Sequence, residues 1–326
     1  MKKKSILLTY DYELFLGVDS GDIYNTLINP TNKILKMLKR HDSNGLFFID
    51  ASFLIAIEKL DCFDIVKQQI QAMVRGGFDI GLHIHPHWED AVLAGDCRWR
   101  FEEYKHFRLH SYGDEELKRI VRNSYDFLSK IVLEVNQNYK IDAFRAGGWS
   151  IQPFDKLVFI FKEIGIKYDF SVLPGMRDDD MPKHYYDFTA TPKDKYIWRF
   201  GNNVTEEDGC GDFIEISNTI FDMNIVDLMK NRKALRGYKI SGDGKGAAKK
   251  RGFLEQLRRV RWNNKQIISS DSMELNLFKK YIEKMDKEVI VSASHPKLLS
   301  DNSLSVLEYT CNNFQCIRYK DVSIDG

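Results

Sequence analysis

Phe78-Asp79-Ile80-Gly81-Leu82-His83-Ile84-His85-Pro86-His87-Trp88 is a short apolar run that ends in histidines. An apolar run of this length reads as a buried strand. If the strand continues to its end, its period of two puts His83, His85 and His87 on one face, with Leu82 and Ile84 on the other. Neutral imidazoles gathered on one face suit zinc and neighbouring first-row metals. A buried strand whose carboxyl end carries such groups suits an α/β barrel, where strand ends converge on one mouth.

The rest of the chain repeats the pattern. Apolar runs at 5–11, 45–50, 78–83, 141–145, 167–172 and 289–294, with a last one near 314–319, alternate with helical spacing at 23–39 and 115–136. That alternation predicts βα units around a largely parallel sheet. Several runs end in reactive side chains. Thr9-Tyr10-Asp11-Tyr12-Glu13 ends the first with two acids, Asp11 and Glu13, which face the same way in an extended chain. Phe144-Arg145-Ala146-Gly147-Gly148-Trp149 sets a guanidinium beside a Gly-Gly turn, and Ser294-His295-Pro296 ends a late strand.

From Pro174 to Ile268 the rhythm fails. Pro174-Gly175, Asp178-Asp179-Asp180, Asn202-Asn203 and Gly209-Cys210-Gly211 are turn signals, although 196–200 and 213–217 read as strands. We expect residues 174–268 to form an insertion or lid within a single domain over 1–326. Residues 236–261 hold nine Lys or Arg against Asp243 and Glu255. With Gly242-Asp243-Gly244-Lys245-Gly246 this stretch is a candidate for phosphate, though it lacks the Walker pattern.

A length of 326 residues, 43% of them hydrophobic, suits one barrel with an insertion. A net charge of +1 gives no reason to expect nucleic acid or a membrane surface as a general partner. The five cysteines are odd in number and form no Cys-x-x-Cys pair, which fits scattered reduced thiols. No run approaches the ~20 apolar residues of a membrane span. The run after Lys4 is too short for a signal peptide. The expectation is a cytoplasmic protein.

At the strand ends the sequence resembles the polysaccharide deacetylases (NodB homology domain, carbohydrate esterase family 4) over about residues 5–172 and 285–320. The resemblance implies a distorted (β/α) barrel with a large insertion before the last strands. Thr9-Tyr10-Asp11-Tyr12-Glu13 resembles the first motif, implying Asp11 as catalytic base and Glu13 as a metal ligand, with Tyr12 where most members have an acid. His83 and His87 match the family's metal-binding histidines, leaving His85 as an alternative ligand or a neighbour that orients them. Arg145 matches the arginine that orients the base, His295 the general acid, and Asp169 falls near a fourth motif. The activity this resemblance implies is that of a metal-dependent hydrolase, most simply with zinc, that removes an N-acetyl or similar acyl group from a sugar. Tyr12, Trp88 and Trp149 are candidate walls for the sugar ring. A cytoplasmic enzyme of this kind would act on a nucleotide-linked, lipid-linked or free saccharide in surface-polysaccharide (lipopolysaccharide) assembly. The alternatives are a non-catalytic carbohydrate-binding member of the same fold and an amidohydrolase-type metal enzyme suggested by His83-x-His85.

Overall fold

A computed structural model describes residues 4–179, 185–246 and 264–323. The amino-terminal half alternates strands and helices. β1 is Ser5–Tyr12, α1 Asn29–Arg40, β2 Leu46–Asp50, α2 Ala51–Ile57, α3 Phe63–Arg75 and β3 Asp79–Ile84. A hairpin of β4 (Val92–Gly95) and β5 (Arg98–Arg100) precedes α4 (Asp114–Leu133), β6 (Ala143–Ala146), α5 (Asp155–Ile164) and β7 (Tyr168–Asp169). There follow β8 (Arg177–Asp178), β9 (Tyr186–Asp187), β10 (Ile197–Phe200), β11 (Phe213–Ile216), β12 (Ile220–Asp222) and α6 (Ile225–Leu235). The chain ends with β13 (Lys265–Ile267), α7 (Leu275–Lys284), β14 (Val289–Ser294), α8 (Asp301–Asn313) and β15 (Gln315–Cys316).

Among the described residues the main sheet runs β10-β11-β7-β6-β3-β2-β1-β14, with β15 also on β1. Every pair from β11 to β14 in that order is parallel, so these strand ends point the same way. The sheet curls into a distorted half barrel. The gap between its two sides is bridged by the backbone, Thr219 N donating to Val291 O and Ala293 N to Ile268 O.

Strands buried on both faces need apolar residues on both. Ile6, Leu8, Tyr10 and Tyr12 belong to the large core under the helices, whereas Leu7, Phe48, Phe170, Ile214 and Val291 fill the concave side. Along β1 the concave face changes from Leu7 to Thr9 and then Asp11, so polarity appears only at the carboxyl end. Register spreads that polar layer sideways: Asp50 lies opposite His83, and His83 opposite Arg145.

The runs read as strands at 196–200 and 213–217 are β10 and β11, and both join the main sheet, so the segment 174–268 contributes to the sheet as well as to the turns around it. One sequence expectation needs correction. Cys62 and Cys97 are joined by a disulfide, tying the start of α3 to the β4–β5 hairpin. Such bonds persist in oxidising compartments, so the cysteines lend no support to a cytoplasmic placement. No described helix is long and apolar enough to cross a membrane.

The stretch 241–246 packs on the loop after β1. A Cβ on Gly244 would lie 2.7 Å from Gly21 N and 2.5 Å from the Phe15 ring, so its glycine permits close backbone approach. Asp19 and Lys245 exchange backbone hydrogen bonds there. The remainder of the basic stretch, 247–261, lies outside the described residues.

Candidate metal centre

Asp11 and Arg145 form the floor of the mouth. Arg145 Nη1 donates to Asp11 Oδ1 at 2.5 Å, Nη2 to Thr9 Oγ1 at 2.7 Å and Asn218 Oδ1 at 3.2 Å, and Nε to Phe170 O at 3.2 Å. The guanidinium is wholly buried between Phe48, 4.3 Å from its ring centre, and Trp149, at 5.1 Å. Burial pushes the Asp11 carboxyl up, but Arg145, then His83 and His295, outweigh it and hold the group below its ordinary value. Asp11 is therefore an oriented carboxylate.

Glu13 lies one layer nearer the opening and faces two ways. Its Oε1 accepts from Lys297 Nζ at 2.7 Å, and Lys297 also donates to Leu14 O. Its Oε2 lies 3.2 Å from His83 Nε2 and 2.5 Å from His85 Nε2. Burial again opposes ionisation, and Lys297 with His85 and His83 brings the carboxyl well below its usual range.

His83 Nδ1 lies 2.7 Å from Arg145 O, which can only accept, so Nδ1 carries hydrogen and Nε2 faces Glu13. Burial lowers the His83 pKa, yet Glu13 and Asp11 push it up to about 8. His85 Nδ1 is buried without a hydrogen-bond partner, and Nε2 faces Glu13 Oε2. Gly147 makes room for that ring, since a Cβ there would lie 2.6 Å from His85 Nδ1. The ligand atoms of Glu13, His83 and His85 all lie within 4.8 Å of one another. Two imidazoles and a carboxylate are a donor set for zinc or another first-row divalent ion. An orphaned buried nitrogen on His85 and two carboxylates facing His83 both fit a site for a divalent cation.

His87 is outside this set. Pro86 opens a 3-10 turn, Pro86–Asp90, and strand alternation stops there. The His87 ring instead stacks on Phe107, 4.8 Å away and 9° from parallel, with Phe101 against its edge. Burial keeps it neutral, with a pKa well below the usual value. The structure thus puts His85 where the sequence suggested His87.

His295 closes the far side. Its Nδ1 is 3.1 Å from Asp271 Oδ2, and its Nε2 is 3.6 Å from Asp11 Oδ2 and 3.7 Å from Glu13 Oε1. Burial lowers its pKa, but Asp271 and then Asp11 raise it above the ordinary value. His295 can hold a proton across the mouth from Asp11.

Other candidates lie elsewhere. Tyr12 points away from the mouth and donates to Gln69 Oε1 at 2.7 Å under the helices, as its position between Asp11 and Glu13 requires. Trp88 is core, its Nε1 bonded to Asp50 Oδ2 at 2.7 Å and its ring against Phe53 and Trp99. Trp149 is half-buried and stays at the mouth. Asp169 sits on the helix-facing side with Ser171 and Glu215, not in the mouth. Sequence reasoning missed Lys297, Asp271, Asp50 and Asn218. Lys297, two residues past His295, and Asp271, in Ser269-Ser270-Asp271-Ser272 after β13, both follow strand ends, and that position was the available signal.

No protein-family model and no curated protein matches the chain. Solved structures do resemble it. A 4-alpha-glucanotransferase from Thermococcus litoralis aligns over 98% of this chain and 40% of its own, at 14% identity and TM-score 0.53. A protein assigned as a polysaccharide deacetylase from Mycobacterium smegmatis covers 94% of this chain and 82% of its own, at 13% identity and TM-score 0.45. A family 4 carbohydrate esterase from Streptomyces lividans in complex with acetate covers 96% and 88%, at 8% identity and TM-score 0.43. At these identities the likeness is one of fold.

Proposed function

We propose that the chain is a metal-dependent hydrolase that removes an N-acetyl or similar acyl group from a sugar, with zinc held by Glu13, His83 and His85. One observation carries this reading: an oriented carboxylate, Asp11, and a protonatable histidine, His295, face each other across a buried two-histidine, one-carboxylate cluster. A bound divalent ion would polarise the acyl carbonyl and acidify a water molecule.

The chain's own residues account for the proton transfers. Asp11, fixed by Arg145, takes the proton of the attacking water. His295, fixed by Asp271, gives one to the leaving nitrogen. A base and an acid on opposite sides of one carbonyl are what amide hydrolysis requires, each contributing about 10²–10⁴-fold. Thr9 and Asn218 hold the far edge of the guanidinium, so Arg145 cannot turn away from Asp11. Trp149 lines the entrance as a flat apolar wall for a sugar ring. A saccharide carried on a nucleotide or lipid during surface-polysaccharide assembly is the substrate class we propose.

The test pairs metal content with acyl release from N-acetylated sugars. His85→Ala should lose tight zinc binding while His87→Ala retains most of it, read by plasma emission spectroscopy on folded protein. Equal metal content in both variants and wild type would reject the assigned centre. A metal-loaded wild type that binds N-acetylated sugars without releasing acetate would favour a carbohydrate-binding protein instead.

A further inference from the structure

The net charge of +1 conceals a local imbalance on α6. One side of this helix is anchored. Leu228, Asp227 and Asn231 are buried, Asn231 Nδ2 donates to Ser272 O at 2.8 Å, and Asp227 pairs with Lys280 at 2.5 Å. The other side faces outward. Ile225, Val226 and Met229 are 48%, 60% and 66% exposed. At 100° per residue these three share an outward arc of roughly 160° with Lys230, Arg232, Lys233 and Arg236. Just beyond lie half-exposed Tyr238 and Ile240, with Lys239 between them. Soluble surfaces usually scatter large apolar residues singly. Apolar side chains that share one exposed face with long cationic ones suit a lipid interface, where the apolar groups enter and the cations reach up to the headgroups.

We propose that this face docks on an anionic lipid surface. Ile225, Val226 and Met229 enter the boundary between headgroups and acyl chains, and Lys230, Arg232, Lys233 and Arg236 meet the headgroup charges. Charge decides between this occupant and a second copy of the chain. A symmetric contact would gather the four cations of each copy in one interface, and like charges brought together there repel. An anionic headgroup layer satisfies both halves of the face at once.

The anchored side of α6 rests on the loop that contains Ser272 and Asp271, and Asp271 holds His295.

The experiment is co-sedimentation of the full chain with phosphatidylcholine vesicles, with and without phosphatidylglycerol. Wild type should bind only the phosphatidylglycerol vesicles, and added salt should weaken the binding. Met229→Asp should abolish it, and Lys233→Glu should weaken it about fivefold or more. Both residues are exposed, so thermal melts should match wild type and exclude misfolding. Failure of wild type to bind anionic vesicles would overturn the proposal, as would equal binding by all three proteins. Sedimentation velocity gives a further arm: a wild-type dimer that Met229→Asp dissociates would assign the face to a second copy and overturn the lipid reading.

Discussion

Asp11 and Glu13, at the mouth of β1, are 3% and 5% exposed, and Asp169 and Glu215, neighbours across β7 and β11, are 2% and 0% exposed. Burial alone drives all four toward the neutral form. On the concave side that drive loses, because Arg145 touches Asp11 and Lys297 touches Glu13. On the helix-facing side no cation touches either acid among the described residues. Glu215 is held well above its ordinary value by burial and by Asp169, and Asp169 is raised by burial despite its bonds to Glu215 and Ser171. One pair is held toward its ionised form and the other toward its neutral form, as a buried plug. Equal burial yields opposite chemistry, and the neighbouring cation decides which.

The largest effect should come from removing the inner charge. Asp11→Asn keeps the shape and deletes the base, so acyl release should fall by about 10²–10⁴-fold while circular dichroism stays unchanged. Wild-type turnover in this variant would end the distinction between a reactive pair and an inert one.

Removing the cation should cost stability. Arg145→Met leaves Asp11 buried without its partner, and denaturant unfolding should show a loss of about 3–5 kcal/mol. Adding Asp11→Asn should restore part of it, because the orphaned charge is then gone. No recovery in the double variant would mean that Arg145 matters for packing and not for charge.

The smallest effect separates the outer pair. Glu215→Gln should change stability by no more than about 1 kcal/mol at neutral pH, since the amide resembles the neutral carboxyl that burial and Asp169 favour. Its signature lies in the pH dependence. An acid whose folded pKa is raised stabilises fully below the unfolded carboxylate value, and that contribution is lost as pH rises through the folded pKa. The inner pair has the opposite sign: its contribution is present above the unfolded value and disappears as pH falls through the depressed folded values. Thermal melts of Glu215→Gln should therefore lack part of the wild-type decline toward alkaline pH and keep the acid limb. An unchanged alkaline limb would show that Glu215 is not protonated in the native state.

Much of the fold was legible because buried parallel strands announce themselves as apolar runs. That Asp11, Glu13, His83, Arg145 and His295 could meet at one mouth was legible for a related reason: each lies at or just past the carboxyl end of such a run. The errors came where local geometry breaks periodicity. His87 continues the alternation on paper, yet Pro86 starts a turn and leaves His85 beside Glu13. Tyr12 was open to correction from the sequence itself, since a residue between two inward acids must point outward. The strands at 196–200 and 213–217 were legible as apolar runs, but their place in the main sheet was not, because the turn residues that flank them break the βα rhythm.

By itself the sequence determined an α/β chain whose strand ends carry acids, histidines and an arginine, because hydrophobic period and side-chain chemistry are local properties. Only the tertiary structure decided which of these groups meet. Lys297 reaches Glu13 across 284 positions and Arg145 reaches Asp11 across 134, and no local pattern encodes such distances. The protonation states belong to the tertiary structure as well. A carboxyl in a sequence is only an acid, and becomes a base or a neutral plug according to the cation that the curled sheet does or does not bring against it.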